Sequence, residues 1–172
     1  MTDIMIDIET LGRRNDAAIR EVGLVAFKND GTILDSVQLC VANGVWNTHH
    51  RTFCGETILW LMKEGSLDMS ENCSSYEMLT DKINEFFKKH NCKDSHVWSK
   101  GHMDLEVIKD LYEELGKPLP WKFWQPRDMR TILDFCKDVI KCPNRPAHRA
   151  VDDAIQQAII LCEIMRTIIK PS

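Results

Sequence analysis

"DIMIDIET" (residues 3–10) sets Asp3, Met5, Asp7 and Glu9 on its odd positions and Ile4, Ile6 and Ile8 on the even ones. A period of two is that of a β-strand, whose successive side chains point to opposite faces. One face is then all isoleucine and belongs against a core. The other carries two carboxylates side by side at the strand's C-terminal end. Like charges that close raise each other's pKa unless a cation sits between them. A solvent-exposed strand end is the plain alternative, but the apolar flanks favour a buried, paired or metal-bound site.

Working outward, "LGRRNDAA" (11–18) reads as a polar loop. "AIREVGLVAFK" and "TILDSVQLCV" read as two β-rich runs joined by "NDG" (29–31), a strong hairpin signal. The chain therefore opens with three strands, the second and third antiparallel. The middle turns helical: a short helix at 56–65 ending at Gly65, then one beginning at "SSYE", where Ser74 and Glu77 have capping-box spacing. "SHVWS" (95–99) is a short buried strand, and 104–116 is an amphipathic helix stopped by Gly116. "KPLPWKFWQP" is a loop or irregular strand, with Trp121 and Trp124 covering the core. "RDMRTILDFCKDVI" is another helix and "KCPNRPA" a proline-marked loop. The last helix runs from about 149 to 169, with Val151, Ile155, Ile159 and Cys162 as its buried stripe. The pattern predicts a mixed α/β sheet covered by helices.

At 172 residues the chain fits one domain, 1–172, with enough length for a substantial core. Its 44% hydrophobic and 28% charged residues are those of an ordinary soluble globular protein. No apolar run approaches the roughly 20 residues that span a bilayer, so no membrane partner is expected. An acid at position 3 and no basic segment before an apolar one argue against a signal peptide. Seven scattered cysteines without a CxxC pair argue against a disulfide framework or a cysteine zinc site. A reducing cytoplasm is the expected location.

Two further segments place acids after apolar runs. "HVWSKGHMD" sets Asp104 at the start of a helix, where an acid also suits the helix dipole. "AHRAVDDA" (147–154) holds His148 and Asp153 five residues apart. On one helix these would lie about 140° apart. They converge only if His148 stands in the loop before the helix and Asp153 in its first turns, a boundary that Pro146 favours. A capping histidine and a solvated acid pair is the alternative.

"DIETLG" with Asp7 and Glu9, then Asp104, then "HRAVDDA" with His148 and Asp153, resembles in order and spacing the DEDD-type (DnaQ-like) 3'-5' exonucleases of the histidine-motif subclass. The likeness spans residues 7 to 153. The compact size and the "TILWL" and "RDMRTIL" segments further resemble the small branch holding phage exonuclease A, exodeoxyribonuclease VIII-like proteins and ribonuclease AS. The resemblance implies a ribonuclease H-like α/β fold, with a mixed sheet whose first three strands are antiparallel. It implies hydrolysis of phosphodiester bonds at 3' ends, releasing nucleoside monophosphates. It also implies two Mg²⁺ (or Mn²⁺) ions about 4 Å apart. Asp7 would bridge the ions, Glu9 and Asp153 would complete the nucleophile side, and Asp104 would hold the leaving-group side. His148 would accept the proton of the attacking water. Hard oxygen ligands suit those ions. Asp152 is left solvated.

The net charge of −4 becomes neutral when those four acids are left out. A neutral remainder suits a grip on a few nucleotides at an end, not long phosphate tracking. The resemblance puts the backbone of Thr10, Leu11 and Gly12 against the terminal nucleotide. Trp60 either stacks on a base or belongs to the core. Arg13, Arg14, Arg127, Arg130 and Arg149 are candidate phosphate contacts or plain surface charges. His102 is a candidate to hold a ligand from behind, and His49 and His50 read as a loop feature. The expected partner is a single-stranded 3' end, DNA slightly ahead of RNA. Dimerisation is common among the family's small members, so a homodimer is admitted too. The competing readings are a 3'-5' exoribonuclease that trims RNA ends, a non-catalytic nucleic-acid or partner-binding module on the same fold, and an acidic structural protein that binds cations incidentally.

Overall fold

A computed structural model describes residues 2–63, 71–90, 93–136 and 149–168. Strand β1 (Thr2–Thr10) is its axis. Ile4, Ile6 and Ile8 enter one core cluster, and Met5 enters a second on the opposite face. Strand β2 (Ile19–Lys28) pairs antiparallel with β1, and β3 (Ile33–Cys40) pairs antiparallel with β2. Between β2 and β3 the chain turns through Gly31, whose φ of +83° suits glycine, and the Asp30 carboxylate accepts from the Thr32 N–H. Strands β4 (Val97–Ser99) and β5 (Pro126–Asp128) continue the sheet in parallel, giving the order β3-β2-β1-β4-β5. This is the ribonuclease H-like mixed sheet with three antiparallel strands first.

Helices cover both faces. On the isoleucine face lie α2 (Tyr76–Lys89) and α3 (Met103–Glu114), which bury Leu79, Ile83 and Phe87 and then Val107, Ile108 and Leu111 against β1. Burying each such side chain contributes about 1.5–3 kcal/mol. On the other face α4 (Met129–Phe135) and α5 (Ala150–Ile168) pack on Met5, Val25, Phe27 and Trp98. Helix α1 (Gly55–Lys63) lies beyond the end of β1, with Leu61 packed on Leu11 and Ala18. Among the described residues no helix is long and apolar enough to cross a membrane, and Cys40, Cys54, Cys73, Cys136 and Cys162 are free.

Several boundaries differ from expectation. The N-cap of α2 is Ser75, whose hydroxyl accepts from the Met78 N–H at 3.1 Å; the capping serine is one residue later than Ser74. The segment expected to begin a helix at Arg127 first makes β5. Pro126, with no N–H to donate, suits the first residue of an edge strand. Asp128 then ends the strand and caps α4, accepting from the Arg130 N–H at 2.8 Å. Helix α3 stops as expected at Gly116 (φ +63°), where Gly116 N–H donates to Glu113 and Lys117 N–H to Tyr112. Trp121 is buried, but Trp124 is exposed rather than a core cover.

The stripe of α5 is also corrected. Ala150, Ala154 and Ala158, with Leu161 and Cys162, are buried, whereas Ile159 is exposed and Val151 and Ile155 are half-buried. Small residues line the contact because the helix backbone sits directly on the sheet at Gly23. Gly65, residues 137–140 of the helix expected after Arg127, the 141–147 loop and His148 lie outside the described residues.

Candidate active site

Alternation along β1 sends Asp7 and Glu9 to the α5 side of the sheet, the side that Met5 occupies deeper in. The first turns of α5 bring Asp153 to them. Ligand oxygens of Asp7, Glu9 and Asp153 all lie within 4.8 Å of one another, and each of the three side chains is half-buried. Asp104 approaches from the other side. It stands in the first turn of α3, after β4 and a tight turn at Gly101 (φ +106°) that the Asp128 carboxylate holds by accepting the Gly101 N–H at 2.9 Å.

The electrostatics report that convergence. Burial pushes the Asp7 carboxyl well above its ordinary range, and the charge of Asp104 raises it further, with smaller contributions from Glu9 and Asp153. One hydrogen bond opposes this: the Gln157 amide donates to Asp7 Oδ1 at 2.7 Å. Asp104 is pushed up to about 7, first by burial and then by Glu9; Arg130 pulls it down and Asp128 adds to the rise. Carboxylates from three separate segments thus share one partly desolvated space, and their mutual repulsion is what a bound cation would remove.

Helix α5 is docked by groups from the sheet. Ala150 N–H donates to the Glu21 carboxylate at 3.3 Å, and Val151 N–H donates to Gln38 Oε1 at 2.8 Å. The Gln38 amide nitrogen donates in turn to Glu21. Two N–H groups left over by the helix start are thereby satisfied. Glu21 lies directly across from Glu9 in the β1–β2 register. Like charges in such a pair repel. The fully buried Arg20 answers both, with Nη2 at 3.3 Å from Glu21 and 3.9 Å from Glu9.

Thr10, Gly12 and Trp60 line, with Glu9, an open cavity of about 300 Å³ beside the acids. Thr10 Oγ1 donates to the Gly12 carbonyl at 2.7 Å, and Trp60 is 44% exposed. The Leu11 side chain is buried with Ala18 and Leu61, its N–H donates to Ala18 and its carbonyl accepts from Cys54. Asp152 is exposed. Arg13 pairs with Glu56 and Arg14 with Asp16, while the Arg127 guanidinium donates to the Trp124 and Pro126 carbonyls. Arg130 donates to the Lys100 carbonyl beside Asp104, and Arg149 is exposed. His102 is exposed at the start of α3 and makes no side-chain cap, and His49 lies 3.3 Å from Glu77, away from the acids.

Sequence reasoning did not single out Gln157, Arg20, Glu21, Gln38 or Gly23. Gln157 was within reach: it follows Asp153 by four residues and so shares its helix face. The charged pair Arg20–Glu21 inside an otherwise apolar strand was a second signal. Gln38 and Gly23 carry no local signal, because their roles arise only from where α5 lands.

The family model described as the 3'-5' exoribonuclease Rv2179c-like domain matches residues 2–165. The exodeoxyribonuclease of Enterobacteria phage T4 is 23% identical over 205 aligned residues, covering 96% of this chain and 90% of the phage protein. Among solved structures, the zinc-ion-bound form of the E. coli exonuclease I–ssDNA complex superposes with a TM-score of 0.73 at 11% identity, covering 98% of this chain and 41% of that one. The nuclease domain of 3'hExo, a DEDDh family member bound to rAMP, gives a TM-score of 0.64 at 14% identity, covering 96% of this chain and 92% of that one. The chain spans about two fifths of the length of the exonuclease I structures it matches.

Proposed function

We propose a function from the premise that this chain belongs to the 3'-5' exoribonuclease Rv2179c-like domain family and is a 3'-5' exonuclease. It releases nucleoside monophosphates one at a time from single-stranded 3' ends, RNA foremost, at the cluster of Asp7, Glu9, Asp104 and Asp153. The observation that carries this reading is the convergence of Asp7, Glu9 and Asp153 to within 4.8 Å, at opposite ends of the chain, with the charge of Asp104 acting on Asp7.

The donor set is wholly carboxylate oxygen, which fits hard divalent cations such as Mg²⁺ or Mn²⁺, and the raised carboxyl pKa values fit groups built to face positive charge. Asp7, Glu9 and Asp153 would hold one ion, and Asp7 with Asp104 a second. When bound, such ions neutralise the phosphate, acidify the attacking water and stabilise the leaving oxygen. The chain's own groups do the rest. Gln157 fixes one Asp7 oxygen and leaves the other free to ligate. Arg20, buried behind Glu9, faces that carboxylate with a fixed positive charge 3.9 Å away. His148, two residues before the start of α5 at Ala150, takes the proton of the attacking water. Thr10, Gly12 and Trp60 shape the cavity for the terminal nucleotide, whose base stacks on the indole. Leu11 anchors that wall from behind.

The family description favours RNA. A DNA substrate is the second reading, favoured by the exodeoxyribonuclease of phage T4. One assay separates them: 5'-labelled RNA and DNA oligonucleotides of one sequence are incubated with Mg²⁺ or Mn²⁺. A ladder shortening by single nucleotides, faster on RNA and abolished by EDTA, is expected. Bound but unshortened oligonucleotides would mean a binding module, and the proposed activity would be lost.

A further inference from the structure

Phe123 and Trp124 stand out on the surface. They are 91% and 56% exposed and contact each other edge to face, with ring centroids 5.0 Å apart. No other described residue here is a large aromatic as exposed as Phe123. The pair forms a ridge between two grooves that share Leu119 in their walls. The first, of about 390 Å³, starts at Gly101, His102 and Leu105, all within three positions of Asp104 in the chain, and runs to Phe123. The second, of about 610 Å³, lies beyond Trp124 and is lined by Lys88, Lys93 and Lys122, with no acid among its described lining residues.

The first groove is electrically mixed. Lys109 sits 3.6 Å from Glu106, and the Asp128 carboxylate is taken up by the Gly101 and Arg130 N–H groups. The second is purely cationic, on a chain whose net charge is −4. Lysines gathered in a groove with no acid among its described lining residues create a local field opposite to that of the whole molecule. Exposed aromatic faces interleaved with lysines suit one class of ligand, a single-stranded polyanion whose bases stack while its phosphates are neutralised.

We propose that these two grooves, joined over the Phe123–Trp124 ridge, carry the single strand upstream of the scissile 3' end, so that the substrate is a strand several nucleotides longer than the end pocket alone would grip. The strand leaves the carboxylate cluster beside Gly101 and His102, stacks a base on the aromatic ridge and lays its phosphates along Lys122, Lys88 and Lys93. This revises the expectation that a chain neutral outside its active site grips only the end, because the neutral sum hides a local cationic face. The inference rests on the nuclease reading of the acidic site.

The test compares two substrates: a 5'-labelled single-stranded RNA 20-mer, and the p-nitrophenyl ester of uridine 5'-monophosphate, which fills only the end pocket. The variants are Phe123→Ala/Trp124→Ala and Lys88→Gln/Lys93→Gln/Lys122→Gln, all at exposed positions. Each is expected to raise KM for the 20-mer about tenfold with kcat unchanged, and to leave the ester's kcat/KM within twofold. For the lysine variant, 20-mer anisotropy in EDTA should give a log K against log[salt] slope shallower by about two. Wild-type turnover of both substrates with variants indistinguishable from it overturns the path and leaves the nuclease reading standing. A wild type that turns over neither substrate, yet binds the 20-mer through the ridge and lysines, overturns the nuclease reading and keeps the path. A wild-type dimer that the aromatic variant converts to monomer assigns the ridge to a copy of this chain and overturns the proposal.

Discussion

A β-carbon on Gly23 would lie 2.2 Å from the carbonyl carbon of Ala150. The start of α5 therefore rests on the bare backbone of β2, directly across the sheet from Asp7, the register partner of Gly23. Backbone cannot swing aside as a side chain can, so even one methyl group must lift the helix. Gly23→Ala is expected to lower stability by about 1–3 kcal/mol and to reduce kcat at least tenfold, because Asp153 rides on the displaced turn. Thermal melts and steady-state kinetics check both. Wild-type kcat in a folded variant would break the link between this contact and the site.

Asp7→Asn keeps the oxygen that accepts from Gln157 and removes one charge from a crowded set. Activity should fall at least a hundredfold. In EDTA the variant should melt no lower than wild type, since a source of repulsion is gone. The rise in Tm that Mn²⁺ gives the wild type should shrink. Calorimetry with and without Mn²⁺ distinguishes this loss of ligation from simple unfolding.

Asp104 carries a pH signature. Its carboxyl is held at about 7 in the folded, cation-free protein, against an ordinary value of 3.8. The folded state therefore keeps this proton where the unfolded state has lost it. Its stabilising contribution is complete below about pH 4 and is lost as pH rises through 7. Cation-free Tm should fall across that window, and Asp104→Asn should flatten the fall. Divalent cations compete with the same proton, so their affinity should climb over the same range.

Arg20 separates two acids that face each other across strands. Arg20→Leu leaves Glu9 and Glu21 close together beside the buried cavity it vacates. The expected cost is about 3–5 kcal/mol, the usual effect of removing one partner of a buried ion pair. Pairing the change with Glu21→Gln, which keeps an acceptor for the Ala150 N–H, should recover part of that stability. Denaturant melts of the single and double variants measure the coupling.

Asp3 lies on the same strand face as Asp7 and serves as the internal control. It is buried, and its carboxylate accepts from the Trp98 indole N–H at 3.0 Å and the His96 backbone N–H at 2.9 Å. Asp3→Ala orphans those donors and should cost about 1–3 kcal/mol. Its kcat should stay near wild type at a temperature where it is folded.

The features legible in the sequence are local ones. Alternation along residues 3–10 was enough to split Ile4, Ile6 and Ile8 from Met5, Asp7 and Glu9, because a strand's period depends on backbone geometry alone. The hairpin at Asn29–Gly31 and the stop at Gly116 were legible for the same reason: a turn and a helix end are set by residues a few positions apart. Strand β5 was not legible. Its three residues pair only because β4 offers an open edge, and the same residues next to Met129 read equally well as a helix start.

The order of the acidic motifs and the chemistry they suit were determined by the sequence itself, as was the odd–even division that aims Asp7 and Glu9 away from the isoleucine core. What only the tertiary structure decided is how α5 arrives at them. The small stripe of Ala150, Ala154 and Ala158, the bare backbone at Gly23 and the caps from Glu21 and Gln38 set the helix low on the sheet and bring Asp153 and Gln157 to Asp7. Those contacts join residues more than a hundred positions apart. Their energy depends on distances that exist only once the sheet has formed.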